Sequence, residues 1–230
     1  MFKKQKEDIG MKKMCMAVAV LVVLFFGLAS FAYAIDVEVE PSVKAAGMKW
    51  KENGVSEGHK SYVGVGIQGN LSDFSSLPGL KLNFGLEEWR MGEAVDEDAE
   101  IPRKGYRFYG EISRPIRYLE FSFAPCIGAG FEEWHRREGN PKIAGSWQSL
   151  RFFSGTAGIK AGYDCYFAKV IAIQPFNIEG GTLKARTGYE ISLGANIWKD
   201  LDLALFYKDV RFARPDTEMQ LTGAAVSYKF

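Results

Sequence analysis

The chain has 230 residues and a formal net charge of +1. That balance gives no basic footprint for a nucleic acid, and beyond the N-terminal region no apolar run is long enough for a transmembrane helix. A 14% share of aromatics and 25 glycines accompany many short alternating segments, which leaves two fates for a secreted chain: a soluble β-barrel or sandwich, or a barrel in a membrane.

Residues 1–34 read as a secretory signal. Lys12 and Lys13 form a basic start, Ala17 to Ala32 is almost wholly apolar, and Ala32-Tyr33-Ala34 is a small-x-small cleavage site before Ile35. Met11 is an alternative start. The competing reading is an uncleaved anchor, for which the apolar run is near the lower limit. Cys15 lacks a Leu-x-Gly/Ala lead and is not read as a lipoprotein cysteine. Removing the leader takes away five lysines against one Glu and one Asp, and leaves 196 residues at a charge of −2. Residues 35–230 are then expected to form a single domain.

Ten strands follow from period-two alternation. Val37 to Trp50 places Val37, Val39, Val43 and Ala45 opposite Glu38, Glu40, Ser42 and Lys44, with Pro41 suggesting a bulge or a late start. Lys51 to Lys60 reads as a loop around Asn53-Gly54. Ser61 to Leu71 and Leu80 to Met91 are the second and third strands, and a long polar loop, Gly92 to Lys104, carries Asp96-Glu97-Asp98. Gly105 to Ser113 is the fourth, with a turn expected at Arg114-Pro115. Tyr118 to Trp134 is the fifth, ahead of a second polar loop, His135 to Ser146. Leu150 to Tyr163 is the sixth. Cys165 to Phe176 is ambiguous, because Val170-Ile171-Ala172-Ile173 is apolar on both faces; it reads as a strand, with a short helix as the alternative. Thr187 to Trp198 and Leu201 to Phe212 flank a tight Lys199-Asp200 turn.

Met219 to Phe230 closes the chain. Thr222, Ala224, Val226, Tyr228 and Phe230 share one face; Leu221, Gly223, Ala225, Ser227 and Lys229 share the other. A strand ending on a bare aromatic has little reason to exist in water and a clear one in an interfacial girdle. This strand, with the leader, resembles those of small bacterial outer-membrane β-barrels of the OmpX, OmpA and OmpW type. In that family Tyr two residues before a terminal Phe is the signal read by the insertion machinery, which Tyr228 and Phe230 match. The resemblance implies an all-β, up-and-down antiparallel transmembrane barrel of ten strands, or of eight if Cys165 to Phe176 is not one, located in the cell outer membrane. It implies outer-membrane lipid, lipopolysaccharide and the insertion machinery as partners, a monomer, and no cofactor.

Loop lengths agree, since connections after odd-numbered strands read as mostly long and polar. Period two cannot say which face points inward; the leader and Phe230 favour apolar-out, with Glu38, Lys44, Lys81, Glu87, Arg107, Glu111, Glu120, Lys160, Glu190, Asp202 and Lys208 enclosed. Such mixed charges should pair and fill the lumen. The expected role is structural or surface interaction, carried by loops near Gly92–Lys104 and His135–Ser146. A narrow channel, with a cation path along Glu87, Glu111 and Glu132, is the alternative.

Gly85-Leu86-Glu87-Glu88-Trp89 recurs as Gly130-Phe131-Glu132-Glu133-Trp134, and more loosely as Gly47-Met48-Lys49-Trp50. Each copy ends an odd-numbered strand, so the three sit at one level. Trp89 and Trp134 are expected at the outer rim through a local bulge. Strict alternation would instead put them in a lumen pocket with Glu87 and Glu132. Catalysis finds no local motif: His135 with Asp96 or Asp98 supplies pieces of a protease-like rim site, and His135 with Ser146 or Ser149 those of a lipid hydrolase, while His59 reads as a loop residue. No metal site is expected, because the acidic run lacks calcium-loop spacing. Cys126 and Cys165 lie two strands apart on this register, at roughly 10 Å, and are expected to be free and buried.

Overall fold

A computed structural model of the chain describes residues 36–52, 55–74, 77–92, 101–135, 149–179, 185–213 and 216–230. The expected signal sequence, the acidic run at 96–98 and most of the second polar loop lie outside the described residues.

Eleven strand segments build one closed antiparallel sheet. They are β1 (Asp36–Glu52), β2 (Val55–Ser72), β3 (Lys81–Met91), β4 (Lys104–Ser113), β5 (Ile116–Tyr118), β6 (Phe121–His135), β7 (Ser149–Tyr163), β8 (Tyr166–Glu179), β9 (Ala185–Trp198), β10 (Leu201–Ala213) and β11 (Asp216–Tyr228). Each pairs with its neighbours in sequence, β1 pairs with β11, and β4 and β5 both lie along β6. β4 and β5 are therefore one stave, and the barrel has ten. Closure leaves no unpaired edge, the condition for a sheet in lipid.

The expected turn at Arg114-Pro115 is instead a break within that stave. Pro115 cannot donate to the ladder, pairing resumes at Ile116, and the chain reverses at Leu119-Glu120, where Leu119 has φ 55°. Glu120 consequently sits exposed in a turn rather than on the inner face. The β7–β8 and β9–β10 reversals at this end are equally tight, with Asp164 at φ 53° and Lys199 at φ 43°. Pro41 causes no bulge: it pairs in register with Ile67, and its missing N–H faces the end of β11, where the register with β1 starts only at Ser42–Ser227. The irregularity falls between Met48 and Trp50 instead. Lys51 to Lys60 is not a loop, since β1 and β2 leave only two residues between them; β10 and β11 do the same. Long connections thus follow β3 and β6, while other staves at that end run on as hairpins.

Cys165 to Phe176 is a full stave, β8, apart from Cys165 in the turn. Its apolar residues on both faces have two different neighbours. Val170 points outward, while Ile171 and Ile173 are buried inside. Cys126 and Cys165 are free thiols, Cys126 buried and Cys165 half-buried at the turn.

The outer surface is apolar over a band. At the end holding the chain terminus, Tyr118, Phe121, Tyr163, Tyr166, Trp198, Tyr228 and Phe230 are exposed. Towards the other end a row of rings runs across four staves: Phe108 pairs with Phe131, Phe131 with Phe153, and Phe153 with Phe176. Phe131 and Phe153 have centroids 5.1 Å apart, and Phe153 and Phe176 are 6.1 Å apart. Val, Ile, Leu and Ala fill the interval, with Ile127, Leu193 and Leu205 about 60% exposed. Ten residues separate Phe121 from Phe131, roughly 33 Å along a strand, or about 25 Å along the barrel axis at a tilt near 40°. That is the height of a bilayer's apolar layer between two aromatic girdles.

Candidate functional site: a two-tier lumen

Inward residues change character along each stave. On β1 the inner face reads Glu38, Glu40, Ser42, Lys44, then Ala46, Met48, Trp50; on β3 it reads Lys81, Asn83, Gly85, Glu87, then Trp89. Within the girdles the lumen is charged. Beyond the second girdle it is an apolar core in which Met48, Trp50, Trp134, Leu150, Phe152, Val210, Phe212 and Met219 are at most 1% exposed.

The outer face changes in the opposite sense at the same height. On β6 it reads Phe121, Phe123, Ile127 and Phe131, then Glu133 and His135; on β10 it reads Leu203, Leu205 and Tyr207, then Arg211, past a register shift at which Asp209 is buried. Charged pairs cover this upper exterior, Arg90 Nε to Glu88 at 2.7 Å and Arg151 Nε to Glu133 at 2.6 Å, while the half-exposed Arg211 reaches down to the buried Asp209 at 2.5 Å. The barrel is inside-out between the girdles and conventional above them.

The repeated Gly-x-Glu-Glu-Trp segment is the crossover. Leu86 and Phe131 face out as the last apolar residues of the band; Glu87 and Glu132 face in as the last charges of the lumen. Glu88 and Glu133 face out as the first surface charges, and Trp89 and Trp134 face in as the first core residues. The expected rim position of the two tryptophans is therefore wrong. No bulge turns them; the solvent outside the wall changes from lipid to water, so the same parity acquires the opposite polarity. Each indole Nε1 donates to its own motif's inner glutamate, Trp89 to Glu87 at 3.3 Å and Trp134 to Glu132 at 3.2 Å. Each ring lies over a glycine of the adjacent stave, Gly64 opposite Trp89 and Gly105 opposite Trp134. A Cβ at Gly64 would come within 2.8 Å of the Trp89 ring, and one at Gly105 would strike Trp134.

Below that plane the charges form one network. Lys44 Nζ lies 2.5 Å from Glu87, and Lys208 pairs with Glu132. Arg107 Nη2 is 2.9 Å from Glu190, with further contacts to Glu132 at 3.8 Å and Glu87 at 3.9 Å. Lys160 pairs with Glu111, and Lys169 reaches Glu111 at 3.8 Å and Glu190 at 3.6 Å. Four buried or nearly buried acids thus meet five bases, which satisfies the demand that enclosed charges be paired. Asn83 Nδ2 donates to Glu111 at 3.2 Å and the Tyr109 hydroxyl to Gln68 at 2.8 Å. Glu87, Glu111 and Glu132 are all in the lumen, but each carries a cation, so they do not form an acidic file. Lys169 went unremarked in sequence, because it lies in the segment of ambiguous periodicity. Lys229, just past β11, sits 2.8 Å from Asp202; burial pulls its ammonium down, but the carboxylate overrides this and holds its pKa above the ordinary value.

Towards the chain-terminus end the lumen opens into a cavity of about 1290 Å³, bounded inwardly by Trp89, Phe206 and Leu221. Trp89 and Phe206 meet edge-on at 6.0 Å, and Lys44 Nζ lies 5.9 Å from the Trp89 ring.

His135 faces outward above the second girdle. Its Nε2 is 3.1 Å from Glu133, and its ring meets Tyr106 edge-on at 5.9 Å. Ser149 is its cross-strand neighbour. Glu133 is shared with Arg151, so the group is part of the surface charge collar. Among the described residues no group of three or more His, Cys, Asp or Glu could hold a metal ion. The side chain of His59 lies outside the described residues.

A closed ten-stave barrel with an apolar outer band, two aromatic girdles and an enclosed ionic network is a membrane-spanning β-barrel of the outer-membrane type, and its place is the cell outer membrane. No protein-family model matches the chain, and no curated protein matches it in sequence. Among solved structures it is similar to Neisserial surface protein A, at 13% identity over 86% of this chain and 99% of that one, with a TM-score of 0.38. It is similar to Ail of Yersinia pestis at 13% identity, 85% and 99% coverage and a TM-score of 0.36. The outer membrane phospholipase A of Escherichia coli aligns at 9% identity, 81% and 92% coverage and a TM-score of 0.43. The membrane assignment stands on the barrel's own surface.

Proposed function

We propose that this barrel is a structural and surface-interaction protein whose lumen is closed on the outer side. The apolar upper tier carries this reading: side chains as large as Trp50, Trp134, Phe152 and Phe212 are packed at most 1% exposed where a conducting path would leave the barrel. The paired network beneath it removes the net acidity a cation path needs. Contact with a partner is assigned to the loops near Gly92–Lys104 and His135–Ser146, which follow the upper ends of β3 and β6.

The exposed Phe230 side chain and the Tyr228–Phe230 ring contact at 4.7 Å support the reading that these C-terminal aromatics meet lipid and are what the insertion machinery recognises. A closed barrel without a free edge suits a monomer. Recording from the purified protein in planar bilayers tests the closed lumen. The expected result is no steady conductance; reproducible single-channel steps would put the narrow-channel reading in its place. In the same preparation phospholipid turnover is expected to be absent. Turnover that disappears in His135→Ala would assign the rim of β6 and β7 a hydrolase site.

A further inference from the structure

The cavity wall formed by β5, β6, β7 and β8 carries more positive charge than its acids neutralise. Lys160 and Lys169 stand directly opposite one another on β7 and β8, and both line the cavity. Like charges in that position repel. They share one carboxylate: Glu111 pairs with Lys160 and is reached by Lys169 at 3.8 Å. The second acid near Lys169, Glu190 at 3.6 Å, is already met by Arg107 at 2.9 Å. Two residues nearer the mouth, the next row across the same wall starts at Arg117, whose neighbours Ile116 and Tyr118 face outward. Arg117 lines the cavity and has no ion pair with a described residue. It pairs with Ser122, Ser122 with Gly162, and Gly162 with Phe167.

Gly162 makes a recess between these cations. A Cβ there would lie 2.6 Å from Ser122 Oγ, so the glycine leaves that hydroxyl room. The Phe167 ring leans the other way, over Gly194, where a Cβ would strike it. The bare floor at Gly162 is two staves from Arg117, about 10 Å, and two residues from Lys160, about 7 Å. Long stems let both charged heads reach across it. The acids of the mouth stand on other staves: Asp36, Glu38 and Glu40 on β1, and Asp73 just past β2, hydrogen-bonded to Asp36. Asp202 is held by Lys229 at 2.8 Å. A guanidinium, two ammonium groups and a hydroxyl around one open floor suit an anion with several oxygens. Each donor then has its own acceptor, and the surplus charge is relieved. An anion enters from the open mouth without crossing the apolar tier.

We propose that this recess binds a phosphate group, free or as a monoester small enough to enter the lumen, with Arg117, Lys160 and Lys169 as its charged donors and Ser122 as its neutral one. Inorganic phosphate and glycerol 3-phosphate separate the two sources. Each is titrated calorimetrically into the folded chain, in a detergent without a phosphate headgroup and at a constant ionic strength set by chloride. At least one is expected to bind with a Kd of about 1 mM, and the tighter of the two identifies the source. Arg117→Gln removes an exposed, unpaired cation and is expected to weaken that binding about tenfold. Lys160→Gln is the second variant and should act in the same direction. Lys199→Gln removes the same charge from an exposed turn at the same end and is expected to leave the Kd unchanged. Heat-modifiable gel mobility confirms that the variants fold. No saturation by either compound at about 10 mM, or equal weakening by Lys199→Gln and Arg117→Gln, overturns the proposal. Conductance plays no part in this measurement, so the closed lumen and the phosphate site can fail separately.

Discussion

The two tiers of this barrel are made from the same staves and obey opposite rules. Between the girdles Leu193, Leu205 and Ile127 are exposed while Glu87, Glu111 and Glu132 are buried. Above them Trp134, Phe152 and Phe212 are buried while Glu88, Arg90 and Arg151 lie on the surface. Backbone pairing is continuous through the change, so geometry does not cause it. What differs is the medium outside the wall, lipid for one tier and water for the other. The stability of the lower tier therefore rests on polar satisfaction inside and lipid contact outside, and that of the upper tier on ordinary hydrophobic burial.

The sharpest way to break that contrast is at its boundary. Lys208→Met strips the buried Glu132 of its nearest cation and should cost about 3 kcal/mol or more, read as a loss of unfolding free energy in denaturant titrations of the folded protein. Adding Glu132→Leu should recover most of that loss, since it moves the apolar tier one step down rather than leaving a charge stranded. A double variant no more stable than the single one would show that the boundary is not set by burial. Phe152→Ala, deep in the upper tier, should cost about 3 kcal/mol in the same measurement.

Leu193→Arg, on the lipid face between the girdles, should cost about 2–4 kcal/mol in lipid vesicles. Its counterpart in the upper tier tests the other medium: Arg90→Leu, at a position already wet, should change stability by less than about 1 kcal/mol. Gly105→Ala should cost about 1–3 kcal/mol, because the added methyl collides with the Trp134 ring. A second change, Trp134→Leu, should lessen that penalty if the collision is its cause.

Much of this was legible in the chain. The alternation of Val37 to Lys44, Tyr189 to Ile197 and Leu221 to Phe230 set the staves and their two faces. The crossover was also written there and was misread. In Leu86-Glu87-Glu88-Trp89 apolar residues stand at both ends of a four-residue step, which period two forbids on a single face. A bulge explains such a step only if the chain deviates; a change of solvent explains it with the chain straight. Val170 to Ile173 was ambiguous for a related reason: its inner isoleucines join the buried apolar cluster while its outer valine faces lipid.

Sequence alone determined the parity of the staves and the division into an apolar and an ionic face, because each depends on neighbours along the chain; that Cys165 to Phe176 supplies a tenth stave, and that the ionic face is the enclosed one, took the closed sheet. Which acid meets which base, where the lumen ends, and at what height the two faces exchange polarity were decided by tertiary structure. Those follow from the closure of β1 on β11 and of β4 on β6, which brings residues as far apart as Lys208 and Glu132 into contact across the barrel.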